Sequence, residues 1–277
     1  MTLPESILLG LVQGLTEFLP VSSSGHLVLA ETLLGVKKSG ISFEVSVHLA
    51  TAVAVAVYYR ARLWGMLTAL PLVFSPGSLR NISPDNETAA GKKENLRLVW
   101  LVFLGTLPAA AAGLFFRDFF EGLFQSPHLV CVMLLVTGAL LMATRLLRPD
   151  KERTVLWHTA LVIGLAQACA IMPGISRSGA TIAVALILGI GATRAAEFSF
   201  LLALPAICGA GFLELREFLV SGSPAGLDMT VLLTGSVTAL ASGYLAIVLL
   251  VRILLRGRFD RFAWYCWTVG LAGLVLF

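Results

Sequence analysis

Charge is what this sequence has least of. Of its 277 residues only 13% are Asp, Glu, Lys or Arg, against about a quarter in a soluble domain. Hydrophobic residues make up 57%, and the mean hydropathy is +0.89. So little charge excludes a water-soluble globule. Cysteine offers no scaffold either: Cys131, Cys169, Cys208 and Cys266 stand singly in apolar runs and read as small buried hydrophobes, not as disulfides or a metal site. The opening residues MTLPESILLG hold an acid and no base, which does not match a secretory signal peptide. The net charge of +4 does not mark a nucleic-acid surface, because the bases cluster between apolar runs. Membrane lipids are the expected surroundings, and nucleic acid is not an expected partner.

What the chain has instead is long apolar runs, at 96–116, 129–147, 231–251 and 262–277. Each approaches the roughly 17–25 residues that cross a bilayer as a helix. The fold class is therefore an all-α polytopic membrane protein, a single integral membrane domain over 1–277.

Two stretches break the apolar pattern in the same way: QGLTEFLPVSSSGH at 13–26 and QACAIMPGISRSGAT at 167–181. An offset of 154 pairs Gly10 with Gly164, Gln13 with Gln167, Ser22 with Ser176, Ser24 with Ser178, Gly25 with Gly179 and Gly35 with Gly189. With one residue of slippage Pro20 meets Pro173 and Glu44 meets Glu197. This ordered set points to an internal duplication, repeat one at about 1–150 and repeat two at about 155–277.

Each repeat opens with two helical pieces too short to span a hydrocarbon core of about 30 Å. Pro20 with its serines, and Pro173-Gly174 with Ser176, break the chain between the pieces. They read as re-entrant hairpins over 5–35 and 156–190. Three spans follow each hairpin: 41–59, 96–116 and 129–147, then 195–215, 230–251 and 262–277. Three is odd, so the second copy enters from the opposite face, giving an inverted-topology repeat. Connections 60–97, 145–153 and 252–261 hold six, four and four Lys or Arg, and are expected to be cytoplasmic. The Lys37-Lys38 pair is an exception on the outer side. Residues 74–94 read as a solvated cytoplasmic loop.

The hairpin tips should meet near the midplane, where ionisable residues default to function. Gln13 and Glu17 share a helix face; a carboxylate beside an amide carbonyl suits half a site for Mg²⁺ or Ca²⁺, completed by waters and substrate phosphates. A packing hydrogen bond would explain them as well. PGISRSGAT resembles an anion cradle: a helix N-terminus at Ser176 with the Ser176 and Ser178 hydroxyls, Arg177 and Thr181 on the same turns. Arg177 would equally serve as a structural partner of Glu17. VSSSGH presents a second helix N-terminus with Ser22, Ser23, Ser24 and His26. A serine or histidine there suits a nucleophile or a proton carrier, although Ser22 is equally suited to capping alone. Glu44, His48 and Glu197 lie near span starts, where interfacial solvation is enough, and His128 and His158 sit at span ends.

On these residues the chain resembles the undecaprenyl-diphosphate phosphatases, the bacitracin-resistance type of integral membrane phosphatase, over essentially its whole length. The family's (Glu/Gln)-x-x-x-Glu motif is met by Gln13 and Glu17, and its Pro-Gly-x-Ser-Arg-Ser-x-x-Thr motif by 173–181. The resemblance implies hydrolysis of the C55 isoprenyl diphosphate to the monophosphate, recycling the lipid carrier of cell-wall synthesis with a divalent metal. By position it implies functional roles for Glu17, Ser23, His26, Ser176, Arg177 and Thr181. Gln13 stands where many members carry glutamate, which lowers the negative charge of the site. The expected division of labour is Glu17 with Gln13 on the metal, and Arg177, Ser176, Ser178 and Thr181, with Ser22 and Ser24 of the first tip, on the phosphates. Ser23, or a water, attacks with His26 handling a proton, and the isoprenyl chain lies in a lateral groove. The resemblance implies the bacterial plasma membrane; the loop charges put both termini outward with the first hairpin entering from outside, so the site is expected to open to the outer, periplasmic side, and a homodimer stays open. The competing reading is a lipid-phosphate transporter or flippase on the same inverted scaffold, since fold alone does not choose between them. A purely structural membrane protein leaves the paired polar tips unexplained.

Overall fold

The computed structural model describes residues 1–34, 41–74, 87–146, 153–221 and 228–277. These residues fold as helices with no strand among them: α1 (Leu3–Phe18), α2 (Ser23–Leu34), α3 (Ile41–Tyr58), α4 (Arg60–Ala69), α5 (Glu87–Phe115), α6 (Arg117–Leu123), α7 (Pro127–Ala143), α8 (Trp157–Cys169), α9 (Arg177–Ile187), α10 (Ala192–Ser221), α11 (Met229–Leu255) and α12 (Phe262–Leu276). Short 3₁₀ turns follow α4 and precede α12.

Helix starts carry their own signals. Thr2 donates its N–H to Glu5 Oε2 at 2.7 Å, and Pro4 sits in the first turn of α1. Ser126 caps α7 by accepting from Leu129 N–H, and Asp228 caps α11 by accepting from Thr230 N–H. Pro108 lies inside α5 and Pro205 inside α10; neighbouring helices make such breaks tolerable in a membrane.

Three segments are long and apolar enough to cross a bilayer unaided: Gly91–Phe115, Ala192–Leu213 and Met229–Leu255. The chain is thus a multi-pass membrane protein. Leu233, Val237, Ala241, Leu245 and Leu249 form an exposed stripe at four-residue spacing along α11, as a lipid-facing surface requires. Helices α3, α7 and α12 are shorter, at 18, 17 and 15 residues, or about 22–27 Å at 1.5 Å per residue.

Packing pairs α1 with α11, α8 with α5, α7 with α12, and α3 with both α10 and α11. Glycines allow the first two pairs to approach closely. A Cβ on Gly10 would collide with the Gly235 carbonyl oxygen, and one on Gly164 with that of Gly105. The central cluster collects Phe18 from α1, Ile182 from α9, Phe198 and Phe200 from α10, and Ile247 from α11. Phe18 packs edge-on to Phe200 at 5.5 Å.

The connection expected to be loop is partly helical. Residues 60–69 form α4, and 87–94 are the first turns of α5, so the loop expected at 74–94 ends earlier. The sequence there is rich in helix formers such as Ala89, Ala90, Lys92 and Glu94. Arg62 also ties α4 down, bonding Asn95 at 3.0 Å and Glu94 at 3.2 Å, and pairing with Glu197 of α10 at 2.7 Å. Residues 75–86, Gly35, the Lys37-Lys38 pair, Arg148 and Lys151 lie outside the described residues.

Candidate active site

The first tip forms because Pro20 stops α1 and Ser22 turns the chain. Ser22 adopts φ 70°, a left-handed conformation that costs a non-glycine residue energy. Its hydroxyl accepts from the Gly25 N–H at 3.3 Å, capping α2, and lies 3.4 Å from Ser24 Oγ. The second tip reaches the same result with glycine: Gly174 takes φ 92°, and Ser176 caps α9 by accepting from Gly179 N–H at 3.0 Å. Thr137 of α7 holds this tip from behind, donating to Gly174 O at 2.9 Å and accepting from Ser176 N–H at 3.2 Å.

The two tips meet. Ser178 Oγ donates to the Leu19 carbonyl at 3.2 Å, and a Cβ on Gly25 would lie 3.2 Å from Gly174 Cα. Across this contact the Arg177 guanidinium pairs with Glu17 Oε1. The Glu17 side chain is 3% exposed and that of Arg177 21%, so each charge relies on the other for solvation.

Glu17 Oε2 gathers the remaining groups of the first tip. It accepts from Gln13 Nε2 at 3.0 Å and from Ser23 Oγ at 2.5 Å. His48 Nε2 of α3 lies 3.9 Å away. His26 does not join this cluster: its Nδ1 is 2.8 Å from the Ser22 carbonyl and its Nε2 is 2.8 Å from the Tyr265 hydroxyl of α12. The group that touches Ser23 is therefore Glu17, where the sequence had suggested His26. Thr181 is buried and turned toward α10, donating to the Arg177 carbonyl at 2.8 Å with its oxygen 2.5 Å from Ser199 Oγ.

Gln13, Glu17, Ser23, Arg177, Ser176 and Ser178 thus converge, Ser22 and Ser24 line the first tip, and His26 and Thr181 stand at its flanks. The sequence reading missed four residues that hold them: His48, Thr137, Ser199 and Tyr265. Thr137 carried a signal, being a polar residue in mid-span; the other three are legible only once helix faces are paired.

For a divalent cation, Gln13 Oε1 is the notable atom. It is buried and has no hydrogen-bond partner, one turn from a carboxylate. Among the described residues no cluster of three or more His, Cys, Asp or Glu exists. Mg²⁺ needs only one or two carboxylates when waters and substrate phosphates complete its shell, so these donors fit a cation held largely through the substrate.

The sequence profile of the family described as bacitracin resistance protein BacA matches residues 6–272. The chain belongs to this family. Among similar proteins, one named undecaprenyl-diphosphatase from Desulforapulum autotrophicum is 44% identical, across 99% of this chain and 98% of the relative. Another of that name from Halothermothrix orenii is 40% identical across 98% and 96%. A third, from Salinibacter ruber, is 39% identical across the full length of both. The BacA match takes in both hairpins, so the Glu17–Arg177 contact lies within the region that defines the family.

Proposed function

We infer that this protein hydrolyses undecaprenyl diphosphate to undecaprenyl phosphate and inorganic phosphate, regenerating the lipid carrier of peptidoglycan synthesis and opposing bacitracin. Its relatives at 39–44% identity carry the name of that activity over nearly their whole length. The observation that carries the reading is the Glu17–Arg177 pair, which joins the end of α1 to the start of α9 across the two tips, with Ser23 hydrogen-bonded to the same carboxylate.

The chemistry follows from charge. A diphosphate brings about three negative charges, and phosphoryl transfer is catalysed mainly by positioning and electrostatic stabilisation. Arg177 exchanges the Glu17 carboxylate for a phosphate of like sign and geometry, gripping it with a planar fork. The Arg177 and Ser178 N–H groups, which precede the capped Gly179 at the start of α9, and the Ser176 and Ser178 hydroxyls hold the remaining oxygens. Ser23 Oγ attacks the terminal phosphorus while its proton passes to Glu17. The bond from that phosphorus to the bridging oxygen breaks, and undecaprenyl phosphate leaves. Water then cleaves the phosphoserine, releasing phosphate, and His26 carries a proton in this exchange. Glu17 and Gln13 would hold a divalent cation such as Mg²⁺ or Ca²⁺, which offsets phosphate charge when bound. The isoprenyl chain stays among the apolar spans, where it gains nothing by entering water.

The architecture that suits this site is an inverted-topology repeat, each half a re-entrant hairpin plus three spans, in the bacterial plasma membrane with the site opening outward. Two features support it. The helix partners correspond between the halves, α1 on α11 as α8 on α5, and the contacts are made by the offset-paired Gly10 and Gly164. In that arrangement the connections 60–97, 145–153 and 252–261, which hold six, four and four Lys or Arg, would share one side, as the positive-inside rule asks. Carriers share such scaffolds, but a serine hydroxyl bonded to a buried carboxylate is what a nucleophile requires and a carrier does not.

The deciding experiment is phosphate release from purified protein in detergent with a C55 or C15 isoprenyl diphosphate, with and without chelator. Wild type is expected to turn over, Ser23→Ala to lose about a hundredfold or more in kcat, and a phosphoserine to be trappable in wild type only. No release by wild type overturns the reading.

A further inference from the structure

We propose that Tyr265 is a positioning residue for His26, holding the imidazole in one tautomer and serving as its partner in both protonation states. The proposal rests on His26 as a proton carrier of the phosphatase reaction. The tautomer follows from the acceptor. His26 Nδ1 stands 2.8 Å from the Ser22 carbonyl oxygen, and a carbonyl only accepts, so Nδ1 carries the proton. The same oxygen accepts the His26 backbone N–H at 3.1 Å, so the left-handed residue at the tip holds both the backbone and the near nitrogen of the ring. In the neutral ring the lone pair is then on Nε2, and the Tyr265 hydroxyl, 2.8 Å away, donates to it.

When the imidazole gains a proton, Nε2 becomes a donor. The Tyr265 oxygen then accepts, because a phenol needs only to rotate its O–H to exchange roles. A carboxylate would favour the charged ring and an amide N–H the neutral one; a hydroxyl serves each in turn. The rings are also nearly parallel, 10° apart with centroids at 5.6 Å, which limits rotation of the imidazole. Tyr265 comes from α12, remote in sequence, and is 45% exposed, so it joins the buried tip to the edge of the site.

The test is carbethoxylation by diethyl pyrocarbonate, followed histidine by histidine with mass spectrometry, on wild type and Tyr265→Phe in detergent. The phenylalanine keeps the ring and removes only the hydroxyl. His26 modification is expected to accelerate about three- to tenfold, the factor that accompanies loss of one neutral hydrogen bond, with His128 and His158 unchanged as controls of the fold. In the same preparations kcat for phosphate release should fall about tenfold, with KM within about twofold. An unchanged His26 rate overturns the proposal, even where kcat falls. An unchanged kcat overturns it as well. Failure of the phosphatase reading is separate: wild type then releases no phosphate, while the labelling rates still decide the contact.

Discussion

The two hairpin tips solve one backbone problem with different residues, and the difference tells what each is for. Both break a helix with proline and restart it from a serine cap, Ser22 in one and Ser176 in the other. The second tip turns on Gly174, for which a φ of 92° carries no steric penalty. The first turns on Ser22 at 70° and pays for it in strain. The second tip divides turning and capping between Gly174 and Ser176, whereas Ser22 does both, so the first tip keeps a side chain at its left-handed residue: the hydroxyl caps α2 beside Ser23 and Ser24. The charges also divide. The first tip holds the acid, the second the base, and they meet across the contact.

Exchanging the two charges separates their roles most strongly. Glu17→Arg and Arg177→Glu alone should each abolish phosphate release, by about a thousandfold or more, and should destabilise by about 3–5 kcal/mol by leaving a buried charge unpaired. The double exchange restores the pair. If it served packing alone, stability and activity would return together. Division of labour predicts that the thermal midpoint recovers while activity stays lost, because an arginine at 17 cannot take the Ser23 proton. Unfolding followed in detergent beside the phosphate assay separates the two.

The helix contacts behind the two tips correspond. Gly10→Ala and Gly164→Ala place a methyl against the carbonyls of Gly235 and Gly105, and each should cost about 1–3 kcal/mol. Gly209→Ala, where a Cβ would meet nothing within 4 Å, is expected to be neutral or slightly stabilising. Losses at 10 and 164 that differ several-fold would count against equivalent roles for α1 and α8.

These contacts mark where sequence reading stopped. Both breaks and the middles of the spans were legible, because proline, glycine and serine act locally and apolar runs have a length the bilayer sets; the start of α5 at 87 and the end of α10 at 221 were not. Convergence of Glu17 and Arg177 was legible too, since two buried opposite charges in one apolar chain have few other partners. Helix-face pairing was not. His48 had read as an interfacial residue, yet α3 brings it to 3.9 Å from Glu17. Ser199 and Tyr265 reach the site from α10 and α12 through contacts that no spacing along the chain encodes. Helix α4 was hidden because its stability comes from Arg62 reaching Glu94, Asn95 and Glu197.

The smallest expected effect exposes the asymmetry most directly. Gln13 and Gln167 occupy matching positions in α1 and α8, both at most 2% exposed. One turn on, the first repeat has Glu17 and the second Ile171. Gln13 therefore donates to a carboxylate and keeps only Oε1 unpartnered, whereas both amide atoms of Gln167 are buried without a partner. An unpaired amide in an apolar interior costs about 1–3 kcal/mol. Gln167→Leu should therefore raise stability by up to about that amount and leave kcat unchanged, while Gln13→Leu should lower kcat by removing a ligand of Glu17. Equal responses at the two glutamines, in thermal midpoint and in turnover, would mean that the second hairpin still works its amide. Opposite responses would fix the first as the chemical half and the second as the half that kept the fold and the arginine.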